Sequence, residues 1–220
     1  MKLIYVVSTY IDNRVNRDLL IMSHLETPKS HLETSKSHLE NPTPNCNYIL
    51  SKRLMFGYYP GQPGLDGLFD NAIDKLLEVG CDVFVNTVPA LEKKGLYDYV
   101  PYVKEHKSKS IFIDYPIEDG DVPVNTKSFQ ELICRIHDLY KEGRTIYVHC
   151  AGGHGRSAVI VGCLLINMGF LAEDVIFQLG KCHRTRDHYP LFPCPHTKEQ
   201  REFIRTYSSE LICLNSLKFF

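Results

Sequence analysis

The sequence predicts an α/β fold: a central, mainly parallel twisted sheet flanked by helices. Three observations carry this. From about residue 48, short apolar runs of strand length alternate with segments of helical periodicity. One run opens into a glycine-rich loop that is followed at once by a nearly all-apolar helix. The chain has 220 residues, 44% of them hydrophobic, enough for one domain with a substantial core plus an extension.

The elements follow in order. Residues 53–56 are strand-like and end before Pro60-Gly61. Phe69, Ile73, Leu76 and Leu77 recur at helical spacing, and Gly80 ends that helix. Residues 83–88 form a strand stopped by Pro89, and 111–113 form another. Phe129, Leu132, Ile133, Ile136, Leu139 and Tyr140 mark a long amphipathic helix, with Asn125 or Thr126 as its cap and Gly143 beyond its end. A strand over 145–149, a loop, and an apolar helix over 159–168 come next; a helix apolar all round must be buried. Residues 174–179 and 197–207 read as two final helices.

Residues 23–43 carry a repeat of period seven, with Ser-His-Leu-Glu at 23–26, 30–33 and 37–40. One leucine per heptad and Pro28 leave no coiled-coil seam, and histidines about two turns apart cannot share a metal. The expected organisation is an N-terminal extension over 1–47, a catalytic domain over 48–210 and a tail over 211–220.

The formal net charge is −1, with no basic excess to suggest nucleic acid. The most apolar N-terminal stretch, 3–7, is too short for a membrane span or a signal-peptide core. Eight scattered cysteines show no disulfide framework, which predicts free thiols in a reducing, cytoplasmic or nuclear setting.

The chemistry concentrates in His149-Cys150-Ala151-Gly152-Gly153-His154-Gly155-Arg156-Ser157. A strand delivers Cys150 to its end, and a helix starts near Arg156. Backbone N–H dipoles converging there favour a thiolate and would hold a phosphate dianion. Gly152, Gly153 and Gly155 permit the tight backbone such a cradle requires. Arg156 can fork onto two phosphate oxygens, and Ser157 can hydrogen-bond the sulfur as it departs.

His-Cys-x5-Arg-Ser resembles the active-site signature of the cysteine-dependent protein tyrosine phosphatase superfamily. Over 48–207 the layout is most similar to the compact dual-specificity phosphatases, without the loop that deepens the pocket of tyrosine-specific members. The resemblance implies a phosphotyrosine phosphatase-like fold. It also implies hydrolysis of phosphotyrosine and phosphoserine or phosphothreonine monoesters through a phosphocysteine, without a metal or other cofactor. Residues 151–156 would bind the phosphoryl group.

A proton donor is needed opposite the cysteine. The loop over 115–123 and its flank offer Asp114, Glu118, Asp119 and Asp121, and spacing does not choose among them. The family pattern, Pro-Ile-x-Asp-x-x-x-Pro, selects Asp119. In the same way Gln200 corresponds to a water-orienting glutamine, and His149 to an imidazole that orients the loop by hydrogen bonds. Arg184 or Arg186 corresponds to a structural arginine. Some relatives keep a second cysteine where this chain has Asn86. His154 stands where inositol-lipid phosphatases carry lysine, and the uncharged Ala151, Gly152 and Gly153 also argue against densely charged substrates.

A competing set, Cys182, His183, His188, Cys194 and His196, has zinc-compatible atoms but no paired Cys-x2-Cys spacing. The resemblance implies a phosphorylated protein as partner, with no nucleic acid and no membrane expected. The alternatives are a phosphatase of RNA 5′-ends or inositol phosphates, an inactive phospho-reader, and a redox protein using Cys150.

Overall fold

A computed structural model describes residues 41–61, 72–186 and 192–207. The Ser-His-Leu-Glu repeat, Phe69, His188 and the 211–220 tail lie outside them. Among the described residues one sheet is built from β1 (Cys46–Ile49), β2 (Ser51–Gly57), β3 (Val83–Asn86), β4 (Ile111–Asp114) and β5 (Ile146–His149). Their order is β1-β2-β5-β3-β4. Only β1 runs antiparallel, against β2; the β2–β5, β5–β3 and β3–β4 pairs are parallel. This is the predicted α/β class.

The helices are α1 (Ala72–Glu78), α2 (Val100–His106), α3 (Thr126–Lys141), α4 (Arg156–Asn167), α5 (Ala172–His183) and α6 (Lys198–Thr206). Both sheet faces are covered, so β3 and β5 are buried at every residue. Leu54, Phe56, Val83, Val85, Ile146 and Val148 pack in the core shared with α3 to α6. Met55, Phe84 and Tyr147 alternate onto the other face, with Ile73 and Leu76 of α1 and Val103 of α2. A sheet with two covered faces requires continuous apolar strands. The first ten residues of α4 are all buried, which is why that helix is apolar all round.

Two elements were not predicted. β1 is short and is turned directly into β2 by Leu50, held at φ 65. That left-handed conformation is unusual for a leucine and has no sequence signature. α2 carries a proline in its first turn and buries only Val103, too little for a periodic signal. Boundaries also moved. β3 stops at Asn86 rather than 88, because Thr87 turns its N–H and hydroxyl onto the His149 carbonyl, 3.0 Å in each case. α4 begins at Arg156, where the sequence placed the helix start, three residues ahead of its apolar run, with Gly155 as N-cap. Of the two caps considered for α3, Asn125 is the one used: its side chain accepts the Ser128 N–H at 3.0 Å.

Candidate active site

The parallel strands end level with one another. Gly57 pairs with His149, His149 with Asn86, and Asn86 with Asp114. A crevice beyond the carboxyl ends of parallel strands is the usual ligand position in such sheets. Because β5 is central, its continuation carries Cys150 to the middle of that edge.

The loop after β5 folds back over its own cysteine. The Gly153 N–H donates to Cys150 Sγ at 3.0 Å, and Ser157 Oγ lies 3.5 Å from the same sulfur. Gly153 is held at φ 67, and a Cβ there would stand 2.4 Å from the Gly57 carbonyl carbon. No other residue fits. Arg186 fixes this arrangement from behind. It is 3% exposed and donates to the Gly153 carbonyl at 2.9 Å, to Asn47 Oδ1 at 2.6 Å and to the Phe56 carbonyl at 3.2 Å. The structural arginine is thus Arg186 and not Arg184.

Arg156 is buried at the start of α4, so its guanidinium is aimed by its neighbours rather than by water. One terminal nitrogen, Nη1, donates to both carboxylate oxygens of Glu92, at 3.0 and 2.9 Å, and to the Ile117 carbonyl at 3.1 Å. Nη2 meets Asp119 Oδ1 at 2.9 Å. Asp119 is 76% exposed, so this second pair is open to solvent and to exchange.

The four carboxylates considered as proton donors are now separated in space. Asp119 touches the phosphate-loop arginine. Asp114 instead receives the Asn86 amide at 2.6 Å and the Lys93 ammonium at 3.2 Å. Partial burial works to raise its pKa, but these two donors overcome that and hold the carboxyl below its ordinary range. Glu118 and Asp121 are exposed, and Asp121 contributes its backbone carbonyl to the site.

Gln200 was expected on the first turn of the last helix and is found there, but fully buried. Its amide oxygen accepts the Thr197 N–H at 3.2 Å, and its amide nitrogen donates to the Asp121 carbonyl at 3.0 Å. The same amide packs against Gly155, where an added Cβ would come within 3.0 Å of it. It therefore bridges the loop after Cys150 and the loop over 115–123.

His149 is sealed beneath the loop among Tyr59, Tyr99 and Tyr147. Burial, with a smaller push from Lys93, holds its pKa down to about 3. The ring shares a 2.7 Å hydrogen bond with the Tyr99 hydroxyl, and Nδ1 has no partner among the described residues. The expected imidazole bond to the loop is replaced by this bond to Tyr99, while the backbone carbonyl of His149 is held by Thr87. His154 turns its Nδ1 onto the Gly152 carbonyl at 2.6 Å and stacks on Phe192. Burial lowers its pKa, opposed by that hydrogen bond and aided by His196.

Of the zinc-compatible set, His188 lies outside the described residues. Among the described residues no three His, Cys, Asp or Glu side chains are grouped to hold a metal. His183 and His196 instead flank the His154 ring, and burial pushes the Cys194 thiol up to about 12. Among the described residues no helix is long and apolar enough to cross a membrane.

The sequence reading missed Glu92, Tyr99 and Thr197. An acidic residue in the loop after a parallel strand was the available signal for Glu92, but nothing local says that it faces Arg156 across 64 residues.

Known proteins are similar to this chain in sequence and in fold. The protein 197R of Invertebrate iridescent virus 6, named as a tyrosine phosphatase, is 28% identical over 166 residues, covering 74% of this chain and 53% of that protein. The phosphatidylglycerophosphate phosphatase PTPMT2 of Arabidopsis thaliana is 29% identical over 124 residues, 52% of this chain and 54% of that one. The chain thus spans about half the length of these curated relatives. The crystal structure of kinase associated phosphatase, with its catalytic cysteine replaced by serine, superposes with a TM-score of 0.58 at 21% identity, over 72% of this chain and 86% of that one. Tk-PTP gives 0.58 at 20% identity, over 78% and 98%. The family described as dual specificity phosphatase, catalytic domain, matches residues 71–188, more than half of the sequence and the whole of the loop that holds Cys150. By that match the chain belongs to the dual specificity phosphatase catalytic-domain family.

Proposed function

We propose that the chain hydrolyses phosphate monoesters of proteins, on tyrosine and on serine or threonine, through a phosphocysteine. One observation carries this reading. The Gly153 N–H and Ser157 Oγ both meet Cys150 Sγ, and Arg156, in the same loop, holds Asp119.

In the first step the Cys150 thiolate attacks phosphorus; the S–P bond forms and the bond to the leaving oxygen breaks. Arg156 and the loop amides hold the equatorial oxygens and stabilise their charge. A phosphoryl group entering the cradle competes for Nη2 and frees the Asp119 carboxylate, which takes up a proton from solvent or from the substrate monoanion and passes it to the leaving oxygen. Glu92 meanwhile keeps Nη1 oriented. In the second step water attacks phosphorus, its proton passes to the Asp119 carboxylate, and the S–P bond breaks. The Gly153 N–H and Ser157 hydroxyl then stabilise the departing thiolate. Gln200, beside Gly155, has one N–H and one carbonyl lone pair left to hold that water.

Residues 151–155 bring no permanent positive charge, and the His154 imidazole is disfavoured from protonating by its burial. This favours simple phosphomonoesters over polyanionic substrates. The Arabidopsis relatives support a phospholipid headgroup as the second reading, and a panel of phosphopeptides against phosphatidylglycerophosphate separates the two. For the mechanism, Cys150→Ser should lose turnover by about 10⁴-fold or more while still binding vanadate or phosphate. Activity within tenfold of the parent would end the phosphocysteine reading.

A further inference from the structure

We propose that Thr197 is a positioning residue for the proton donor: the N-cap of α6 also latches the acid loop. This rests on Asp119 being the donor, as proposed above.

Thr197 begins α6 with a reciprocal cap. Its Oγ1 accepts the Gln200 N–H at 3.1 Å, and Gln200 returns the bond to the Thr197 N–H. This capping box needs only acceptors from the two side chains. Each side chain therefore keeps donors that helix capping does not consume, and both spend one on the acid loop. The single hydroxyl proton of Thr197 goes to the Gly120 carbonyl at 3.1 Å. The roles are unambiguous, because a carbonyl cannot donate and the Gln200 N–H cannot accept. The Gln200 amide nitrogen donates to the next carbonyl, Asp121, at 3.0 Å. The carbonyls of the two residues directly after Asp119 are thus tied to the first turn of one helix.

That tie matters because little else holds Asp119 in place. Its side chain is 76% exposed, and its pair with Arg156 must open when phosphate takes that nitrogen. Once it opens, the backbone alone sets where the carboxyl sits. On the other side of Asp119 the chain is fixed at Ile117, whose N–H donates to the Thr87 carbonyl at 3.0 Å and whose carbonyl accepts from Arg156 at 3.1 Å. Ile117 and the Gly120–Asp121 pair are the two clamps, and Asp119 lies between them. The first clamp belongs to the sheet edge and Arg156. The second belongs to α6. Arg201 holds the approach to α6 in turn, donating to the Pro195 and His196 carbonyls at 2.7 and 3.1 Å. A proton donor misplaced by an ångström loses much of its value, since general acid catalysis contributes about 10²–10⁴-fold and depends on hydrogen-bond reach.

One substitution separates the latch from the cap. In Thr197→Asp the carboxylate still caps the helix by accepting the residue-200 N–H, but it has no proton for the Gly120 carbonyl and repels it. Thr197→Ser keeps both functions. The measurement is kcat on an activated aryl phosphate, such as 4-nitrophenyl phosphate, and on an alkyl phosphate, such as a phosphothreonine peptide. An alkyl leaving group needs the acid far more.

Thr197→Asp should lower alkyl turnover about tenfold or more and aryl turnover no more than about twofold, with the parent ratio restored in Thr197→Ser. With Asp119→Ala as background, Thr197→Asp should change neither rate further, because the latch acts through Asp119. Thr197→Val, which loses both cap and latch, should show at least the same shift in ratio even where its stability falls. An unchanged alkyl-to-aryl ratio in Thr197→Asp, while Asp119→Ala shifts that ratio, overturns the latch alone. An unchanged ratio in Asp119→Ala overturns the donor assignment, and the latch with it.

Discussion

The two halves of the site are assembled in opposite ways. The nucleophile half, from Cys150 to Ser157, is one continuous stretch between the central strand and a buried helix, closed by its own Gly153 N–H and Ser157 hydroxyl on the sulfur. The acid half, from Tyr115 to Pro123, is held from outside: by Arg156, by Thr87, and by two side chains of α6. Covalent continuity sets the shape of the first half, and Arg186 and Glu92 only brace it from outside. The second half is as good as the elements that reach it, and its key carboxylate stays exposed and exchangeable.

The sharpest way to break this comparison is a matched pair of glycine substitutions. Gly153 and Gly120 both have positive φ, 67 and 80, so alanine carries a similar backbone penalty of roughly 1–2 kcal/mol at each. Their surroundings differ. A Cβ on Gly153 meets the Gly57 and Tyr58 backbone at 2.4 to 2.6 Å, whereas on Gly120 it finds only the Thr197 methyl at 3.8 Å. Gly153→Ala should cost about 100-fold or more in kcat/KM, and Gly120→Ala only a few-fold. Equal losses in a steady-state assay would mean that the acid loop is as rigidly determined as the cradle.

The next effect is on stability and belongs to the nucleophile half. His149 has a folded pKa of about 3 against 6.5 when unfolded. Below pH 6.5 the unfolded chain takes up a proton that the folded chain refuses. The stabilisation from keeping this ring neutral is therefore complete above 6.5 and is lost as the pH falls toward 3. Between pH 7 and pH 5 that amounts to about 2 kcal/mol. Denaturant melts over this range should show the loss, and His149→Gln should flatten the slope. An identical slope in that variant would mean that the ring is not sealed from protons.

The smallest effect concerns the joint between the halves. Glu92→Gln keeps the shape but removes the negative charge that orients Arg156 from the side away from Asp119. It should lower kcat/KM about tenfold, read on 4-nitrophenyl phosphate, with folding little changed. A loss as large as that of Gly153→Ala would place Glu92 among the groups the cradle cannot form without.

The same contrast explains which parts of the molecule can be read along the chain. The strand–cysteine–glycine–arginine–helix run is contiguous, so its residue types already encode its shape: β-branched and aromatic residues make the strand, Gly153 takes a conformation denied to others, and the buried face of α4 is written in its apolar run. The alternation of strands and helices was legible for the same reason. β1 was not, because it depends on a leucine at positive φ, and α2 was not, because it buries a single side chain. Asp119 could be picked out through the family pattern, whereas its spacing was shared with three other carboxylates.

What no local pattern could supply are the pairings between distant segments. Arg186 finds Gly153 across 33 residues, Glu92 finds Arg156 across 64, and Thr197 and Gln200 find Gly120 and Asp121 across 77 and 79. Each joins two polar groups that look ordinary in their own neighbourhoods. They meet because β5 lies at the centre of the sheet and α4, α5 and α6 pack together on one face of it. Helix packing is driven by apolar area, which is nearly blind to the polar residues at the helix ends, yet it sets which of those ends arrive at the crevice. The chain therefore announces the cysteine and the glycine-rich loop of the proposed site outright, and leaves the aim of the proposed acid, Asp119, to the way its helices stack.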